Sequence, residues 1–291
     1  MSERIESPAR RAWRVTEPLH AMIYFVPEAP ERYAALGVDP AAGYFASRGA
    51  ALGAVGPAPV VATFYNFNPR IIARALPAVW EVTTPAAVLE ARLAAADAAL
   101  VRGLGDLVHG PEVAEAAALA RRAAETAAGH TQGRPLYAAH AELPWPQAPH
   151  LVLWHAQTLL REFRGDGHVA TLLTAGVSGI EALVLYVAAG LADERFLRVS
   201  RGWSQAQWAE ATGRLRRRGL VEDAGELGLT DAGLALRAGL EETTDRLAAP
   251  AYTLLGDAGT RRLAELTRPL SRLVVKAGML DPANALGPPR S

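Results

Sequence analysis

Four helix start signals in the first half of the chain constrain its fold more than any other feature. In each, a residue that caps helix N-termini is followed directly by proline: Asp39-Pro40, Asn68-Pro69, Thr84-Pro85 and Gly110-Pro111. Proline is favoured at the first helical position because its missing N–H would be unpaired there anyway. About one residue in five is alanine, which has the highest helix propensity. The sequence therefore predicts a mostly α-helical fold.

Composition excludes several classes of protein. The 30 basic and 30 acidic side chains cancel, which argues against binding nucleic acid through bulk positive charge. The absence of cysteine excludes a disulfide scaffold, a thiolate metal site and a cysteine nucleophile. Residues 1–14 are charged and lack the apolar segment of a secretory signal, and no apolar run is long enough to span a bilayer. We expect a cytoplasmic protein without a membrane partner.

A proline-rich stretch predicts the domain organisation. Residues 133–149 contain four prolines and are predicted to be a linker. Before it we expect an N-terminal arm over residues 1–30 and a helical unit over residues 31–132. After it, residues 150–291 are predicted to form a second helical unit, whose first helix breaks at the glycines of residues 164–167.

Residues 203–246 carry the most specific pattern in the chain. A helix capped by Ser204 is followed by Arg218-Gly219-Leu220-Val221, a short turn, and then Leu229-Thr230-Asp231-Ala232-Gly233, which leads into a long helix. This order resembles the MarR-type winged helix over roughly residues 178–247. The resemblance implies that the capped helix is a DNA recognition helix and that residues 220–229 form a small β-hairpin wing.

The resemblance also implies a DNA-binding set of residues on the recognition helix. Five polar or basic side chains are predicted to bind DNA there: Gln205, Thr212, Arg214, Arg216 and Arg217. Three features argue against DNA contact, the first of which is Glu210 on the capped helix, where it would sit against phosphates. The wing carries Glu222, Asp223 and Glu226, which phosphates would repel, and residues 191–202 show no clear pattern for the first helix of a helix-turn-helix. A solvated cluster of arginines at a helix end remains the alternative.

The two halves of the chain align weakly with each other. Residues 55–65 parallel residues 177–187, and residues 68–80 take the place of residues 204–219. This alignment predicts a tandem duplication of two winged-helix-like units, of which only the second has a wing. Chance similarity between alanine-rich helices is the alternative. In a duplicated fold, the cleft between the units is the default ligand site.

One short segment combines histidines and carboxylates. His155, Glu162, Asp166 and His168 lie within fourteen residues and are predicted to be catalytic, as acid–base groups or metal ligands. Their spacing matches no standard metal motif, so the sequence leaves metal and cofactor unknown. The competing interpretation is structural, with Asp166 as a helix cap and His155 in the core.

A set of aromatic, amide and arginine side chains is predicted to bind a small molecule in the same cleft. Its members are Arg48, Tyr65, Asn66, Trp80 and Arg164. Residues 63–68 and 164–168 also make the whole chain similar to a group of uncharacterised actinobacterial helical proteins with a MarR-like C-terminal half. That resemblance supplies no activity.

Together these patterns predict a small-molecule-binding winged-helix protein that acts as a ligand-responsive, DNA-binding transcriptional regulator. The expected partners are a small-molecule ligand and DNA, and an oligomer is compatible with the sequence. The alternative is an enzyme or resistance protein on a degenerate winged-helix scaffold, which would use the His/carboxylate segment.

Overall fold

A computed structural model of the chain describes residues 6–223 and 225–280. Its α-helices are α1 (Pro8–Ala21), α2 (Glu28–Ala34), α3 (Pro40–Gly49), α4 (Pro57–Thr63), α5 (Pro69–Ala75), α6 (Val79–Val82), α7 (Pro85–Leu104), α8 (Pro111–Ala127), α9 (Pro135–Ala141), α10 (Pro149–Thr174), α11 (Gly179–Ala188), α12 (Glu194–Ser200), α13 (Gln205–Arg217), α14 (Asp231–Ala248) and α15 (Gly256–Lys276). Short 3₁₀ turns join several of them. The prediction of a mostly α-helical fold is confirmed.

The four predicted cap-and-proline signals all begin helices. The side chains of Asp39, Asn68 and Thr84 accept backbone N–H hydrogen bonds at 2.9, 3.0 and 3.2 Å at the starts of α3, α5 and α7. Gly110 precedes α8 without a side-chain cap. Each cap satisfies one backbone donor that the first helical turn leaves unpaired.

The helices enclose two hydrophobic cores of unequal size. The large core contains α1 and α15, which pack on each other, and α7, α8 and α9, which pack around the first two thirds of α10. The small core gathers buried residues between 172 and 240, including Val184, Trp208 and Leu215. Helix α10 joins the two cores, since Phe163 lies in the large one and Leu172 in the small one.

The cores do not separate at the predicted linker. Within residues 133–149 lies α9, whose Leu136, Tyr137 and His140 are buried. The predicted N-terminal arm likewise contains α1, and Leu19 and Met22 within residues 1–30 belong to the large core. The prolines start helices in this segment, at Pro135 and Pro149, and do not extend the chain away from the core.

The predicted break at residues 164–167 is wrong, because α10 runs through it as one helix of 26 residues. A Cβ on Gly167 would lie 2.9 Å from Nη1 of Arg134 and 3.3 Å from Cβ of Leu247. This glycine therefore makes room for neighbouring side chains, and tertiary packing overrides its low helix propensity.

Two further predictions on the fold are not supported. Where a β-hairpin wing was expected, the described residues contain a single antiparallel bridge between Val221 and Leu229 and no strand; residue 224 lies outside them. The short acidic, glycine-containing segment offers few pairs for a ladder. A tandem duplication lacks support because α5 has 7 residues where α13 has 13, and because α5 packs in the large core.

Among the described helices, no single one is long and apolar enough to cross a bilayer. Helices α10 and α11 reach that length and apolarity only together, as a pair bent by 96°.

Candidate functional site

Helices α12 and α13 form a compact pair joined by residues 201–204. The Asp193 side chain caps α12 by accepting from Phe196 N at 2.7 Å, and Ser204 and Gln207 form a reciprocal capping box at the start of α13. Gly202 has a φ of +74°, a left-handed conformation that suits glycine in a tight turn. Two helices joined by a short glycine-containing turn constitute a helix-turn-helix.

Helix α12 occupies the place where the sequence showed no clear helical pattern. Its N-cap signal, Asp193 followed by Glu194, was present in the sequence. Its apolar content was too small to reveal it, since within this seven-residue helix Leu197 alone is fully buried. A helix this short forms through packing against its neighbours and not through periodicity.

Helix α13 has a buried face and an exposed face. Trp208, Ala211 and Leu215 anchor it in the small core, as their spacing predicts. The exposed face carries Gln205, Ala206, Ala209, Glu210 and Arg217.

The predicted DNA-binding residues divide between these faces. Gln205 and Arg217 are exposed. Thr212 is only 8% exposed, and its hydroxyl donates to Trp208 O at 3.0 Å. Arg214 pairs with Glu181 and Glu210, at 3.0 and 2.9 Å, and Arg216 donates to Glu222 O at 3.1 Å. Thr212 thus bonds within α13, Arg214 links α13 to α11, and Arg216 links α13 to the turn that follows it.

Residues 65–71, which we call the docking segment, hold the helix-turn-helix against the rest of the molecule. Asn68 N donates to Arg201 O at 2.9 Å, and Nε1 of Trp203 donates to Asn66 O at 2.9 Å. The Tyr65 hydroxyl donates to Val177 O at 2.7 Å. Tyr65 and Asn66, predicted to bind a ligand, therefore make interior contacts between the two cores.

A cavity of about 630 Å³ opens between the docking segment, the chain from Tyr24 to Phe45 and helix α12. Six aromatic rings line it: Tyr24, Phe25, Tyr44, Phe45, Phe67 and Phe196. Arg161 and Arg201 also line it. Of the residues predicted to form a ligand site or a catalytic site, none lies in this lining. The cavity reaches the helix-turn-helix at Arg201, the residue that ends α12.

The comparisons agree with this geometry. A model of a helix-turn-helix family matches residues 9–281. The chain belongs to this helix-turn-helix family. No curated protein and no solved structure matches the chain.

In this helix-turn-helix protein, the remaining predicted ligand residues do not line the cavity, and each has a structural partner. Nη2 of Arg48 donates to the Glu162 carboxylate at 3.1 Å. Arg164 pairs with Asp245 at 2.7 Å, and Nε1 of Trp80 donates to Val55 O at 2.9 Å. Arg48 and Glu162 are both buried, which makes theirs the best-shielded ion pair of this group.

The four predicted catalytic residues lie on α10 and contact different partners. His155 packs edge-on against Trp145 with ring centroids 4.8 Å apart. Asp166 accepts from Tyr137 N at 2.9 Å, and Nδ1 of His168 lies 2.9 Å from Oγ1 of Thr244. Glu162 binds two arginines.

These separate contacts do not build an acid–base or metal centre. Within residues 6–223 and 225–280, no group of three or more histidine, aspartate or glutamate side chains could hold a metal ion. The enzyme alternative therefore has no support from the geometry.

The inner wall of the cavity and the core behind it hold more positive than negative charge. Arg48, Arg92 and Arg161 lie there with two carboxylates, Glu17 and Glu162. Burial would raise the pKa of Glu162, but Arg48 and Arg161 overcome this effect and lower it to about 2, so the group stays ionised. The nearby histidines add no further positive charge, because burial and the arginines lower their pKa.

Two of these histidines set a pH dependence of stability. Burial, reinforced by Arg92, lowers the pKa of His140 to about 3 and that of His155 to about 4. Below pH 6.5, both histidines therefore take up a proton in the unfolded chain but stay neutral in the folded chain. The free energy of unfolding decreases as the pH is lowered. Asp166 has the opposite sign, since burial raises its pKa to about 6 and the folded chain takes up that proton first.

We expect the free energy of unfolding to fall by at least about 3 kcal/mol between pH 6.5 and 4.5, because His140 and His155 outweigh Asp166 and because burial also lowers the pKa of His20 and of His168. Urea unfolding at the two pH values measures this difference. His155→Gln should reduce it, whereas His130→Gln, at an exposed position, should leave it unchanged. A stability that rises on acidification would contradict the assignment.

Proposed function

We propose that the chain is a DNA-binding transcriptional regulator that reads DNA with the exposed face of α13. The observation that carries this proposal is the way α13 is held: its inner face is anchored in the small core, while its outer face is left to solvent. A helix that enters the major groove needs a fixed orientation and an open surface.

The exposed face suits close approach to DNA. Ala206 and Ala209 keep part of this face small, and the charge of Glu210 beside them is paired with Arg214 at 2.9 Å. Gln205 and Arg217 stand near its two ends, where an amide can pair with adenine and a guanidinium with guanine or phosphate. Arg195 is exposed on α12, the first helix of the helix-turn-helix. In this motif the first helix crosses the DNA backbone, so Arg195 is available for a phosphate contact.

The acidic turn after α13 separates this protein from the usual MarR pattern. Glu222, Asp223 and Glu226 are all exposed, and phosphates would repel them. In the proposed complex this turn lies away from the duplex, and α13 carries the contact. The MarR resemblance is thus proposed for the core of the winged helix and not for the use of its wing.

A small-molecule response is part of the same proposal. The 630 Å³ cavity falls in the size range of binding sites for small ligands, and its wall includes Phe196, Ser200 and Arg201 of the helix-turn-helix. A ligand in contact with α12 would favour one orientation of the helix pair. The difference between its affinities for this orientation and for the others would determine how strongly the ligand changes DNA binding.

An electrophoretic mobility shift with the DNA upstream of the encoding gene, at low salt, tests the proposal. We expect a shift at micromolar protein, and about tenfold weaker binding for Gln205→Ala and for Arg217→Ala, because a base contact contributes about 1–3 kcal/mol. Arg272→Ala, which removes an exposed arginine from α15, is the matched control and should bind normally. Absence of a shift, with and without cell extract, or equal binding by all variants, would overturn it.

A further inference from the structure

We propose that the cavity beside α12 binds a ring-bearing organic monoanion, such as an aromatic carboxylate, with its charge against Arg201. Binding itself is independent of the proposed function, whereas its effect on DNA binding rests on that function.

The lining of the cavity selects a flat apolar skeleton. Tyr44 and Phe67 face each other across 5.5 Å between ring centroids, and Phe45 meets Phe67 at 5.3 Å. Tyr24 and Tyr44 are 5.3 Å apart. Such a set of rings offers stacking and edge contacts to another ring, in addition to a large apolar area.

Arg201 supplies the positive charge with which a negative group of the ligand would pair. Its guanidinium lies over the Phe67 ring, 4.5 Å from the centroid, and Nη1 donates to Ser200 Oγ at 3.1 Å. Its Nε is buried without a hydrogen-bond partner, and no carboxylate of the described residues pairs with it. An uncompensated cation in a partly buried site is costly, and an anion in the cavity would offset that cost.

The other charges of the lining are either paired or exposed to solvent, so Arg201 is the shielded charge that a ligand has to match. Arg161 pairs with Glu17 at 2.8 Å and with Glu162 at 3.2 Å. Asp39 is exposed and accepts from Ala41 N as the cap of α3. Arg74, the third arginine of the lining, is exposed. Arg201 is therefore the half-buried cation of this wall that has no carboxylate partner among the described residues, and one carboxylate would pair with it.

Tyr44 shows how positive the inner wall is. Burial would raise the pKa of its hydroxyl, yet Arg48, Arg201 and Arg161 together bring it below the ordinary value. Arg48 donates to this hydroxyl at 3.0 Å. The field that favours a phenolate at Tyr44 would also favour a carboxylate in the adjoining space.

Isothermal titration of the full chain at pH 7 with 2-naphthoate tests the proposal without DNA. We expect measurable binding, and at least tenfold weaker binding of 2-naphthamide, which keeps the ring and loses the charge, and of acetate, which lacks the ring. Arg201→Met should weaken 2-naphthoate binding at least tenfold. Arg272→Met, which removes an exposed arginine of α15 outside the cavity lining, should not.

Equal affinity for 2-naphthoate and 2-naphthamide, or no binding at millimolar concentration, would overturn the proposal. Ala42→Trp provides a second variant, which fills the cavity without removing charge and should also abolish binding, with folding checked by circular dichroism. Because titration uses no DNA, a failed mobility shift leaves this result intact, and a failed titration leaves DNA binding standing.

Discussion

Replacing Glu162 with glutamine is expected to lower the free energy of unfolding by about 3 to 5 kcal/mol, because it removes a buried carboxylate and leaves its cations behind. Glu162 is 3% exposed and contacts Arg48 at 3.1 Å and Arg161 at 3.2 Å. Arg161 keeps Glu17, but the buried Arg48 loses its only carboxylate partner among the described residues. Urea unfolding followed by tryptophan fluorescence measures the loss.

Two comparisons show whether charge causes that loss. Glu125→Gln breaks an exposed pair with Arg121 on α8 and should change stability by less than about 0.5 kcal/mol. Adding Arg48→Met to Glu162→Gln should restore part of the stability, since the cation left unpaired is then absent. If the double variant is less stable than the single one by the full cost of Arg48→Met, the electrostatic explanation fails.

Gly179→Ala is expected to cost about 3 kcal/mol or more, because the added methyl group has no space. A Cβ at this position would lie 1.9 Å from Tyr65 O and 2.8 Å from Asn66 Cα. Both are backbone atoms of the docking segment and cannot rotate away as a side chain could. The two cores would have to separate at this point, which also weakens the contacts around Arg201.

The control for this variant is Gly239→Ala. Gly239 is an exposed interior position of α14, and nothing lies within 4 Å of a Cβ built on it. There the same substitution should stabilise the protein by about 0.5 to 1 kcal/mol through helix propensity alone. Chemical denaturation of both variants and of the parent protein measures the change in free energy of unfolding for each substitution, and the two changes should have opposite signs. If Gly179→Ala is as stable as the parent or more stable, the backbone of the docking segment can move to make room for the methyl group, and the prediction is wrong.

The sequence predicts the local parts of this fold well. Caps such as Asp39 and Asn68 fix helix starts by hydrogen bonds within three residues, and the inward face of α13 follows from its spacing. Features that depend on packing between residues far apart in the chain could not be predicted from the sequence. Gly167 resembles a helix breaker until Arg134 and Leu247 are placed beside it, and α12 exists because the small core stabilises it.

The candidate site was harder to predict for the same reason. The cavity brings together rings from residues 24–45, Phe67 and α12, which are far apart in sequence. Arg201 has no motif around it; its importance comes from lacking the partner that Arg48 and Arg161 possess. The histidine and carboxylate cluster was dense in sequence, but its members point from one long helix to unrelated neighbours.

The docking segment has a consequence for mutational drift. Its hydrogen bonds to residues 177–203 each involve a main-chain oxygen, at Val177, at Arg201 or at Asn66 itself. A carbonyl is present whatever side chain the residue bears, so these three positions can change type without removing the acceptor. The attachment of the helix-turn-helix to the large core therefore depends on the side chains of Tyr65 and Trp203 as donors, whereas a substitution at Arg201 leaves its backbone hydrogen bond to Asn68 in place.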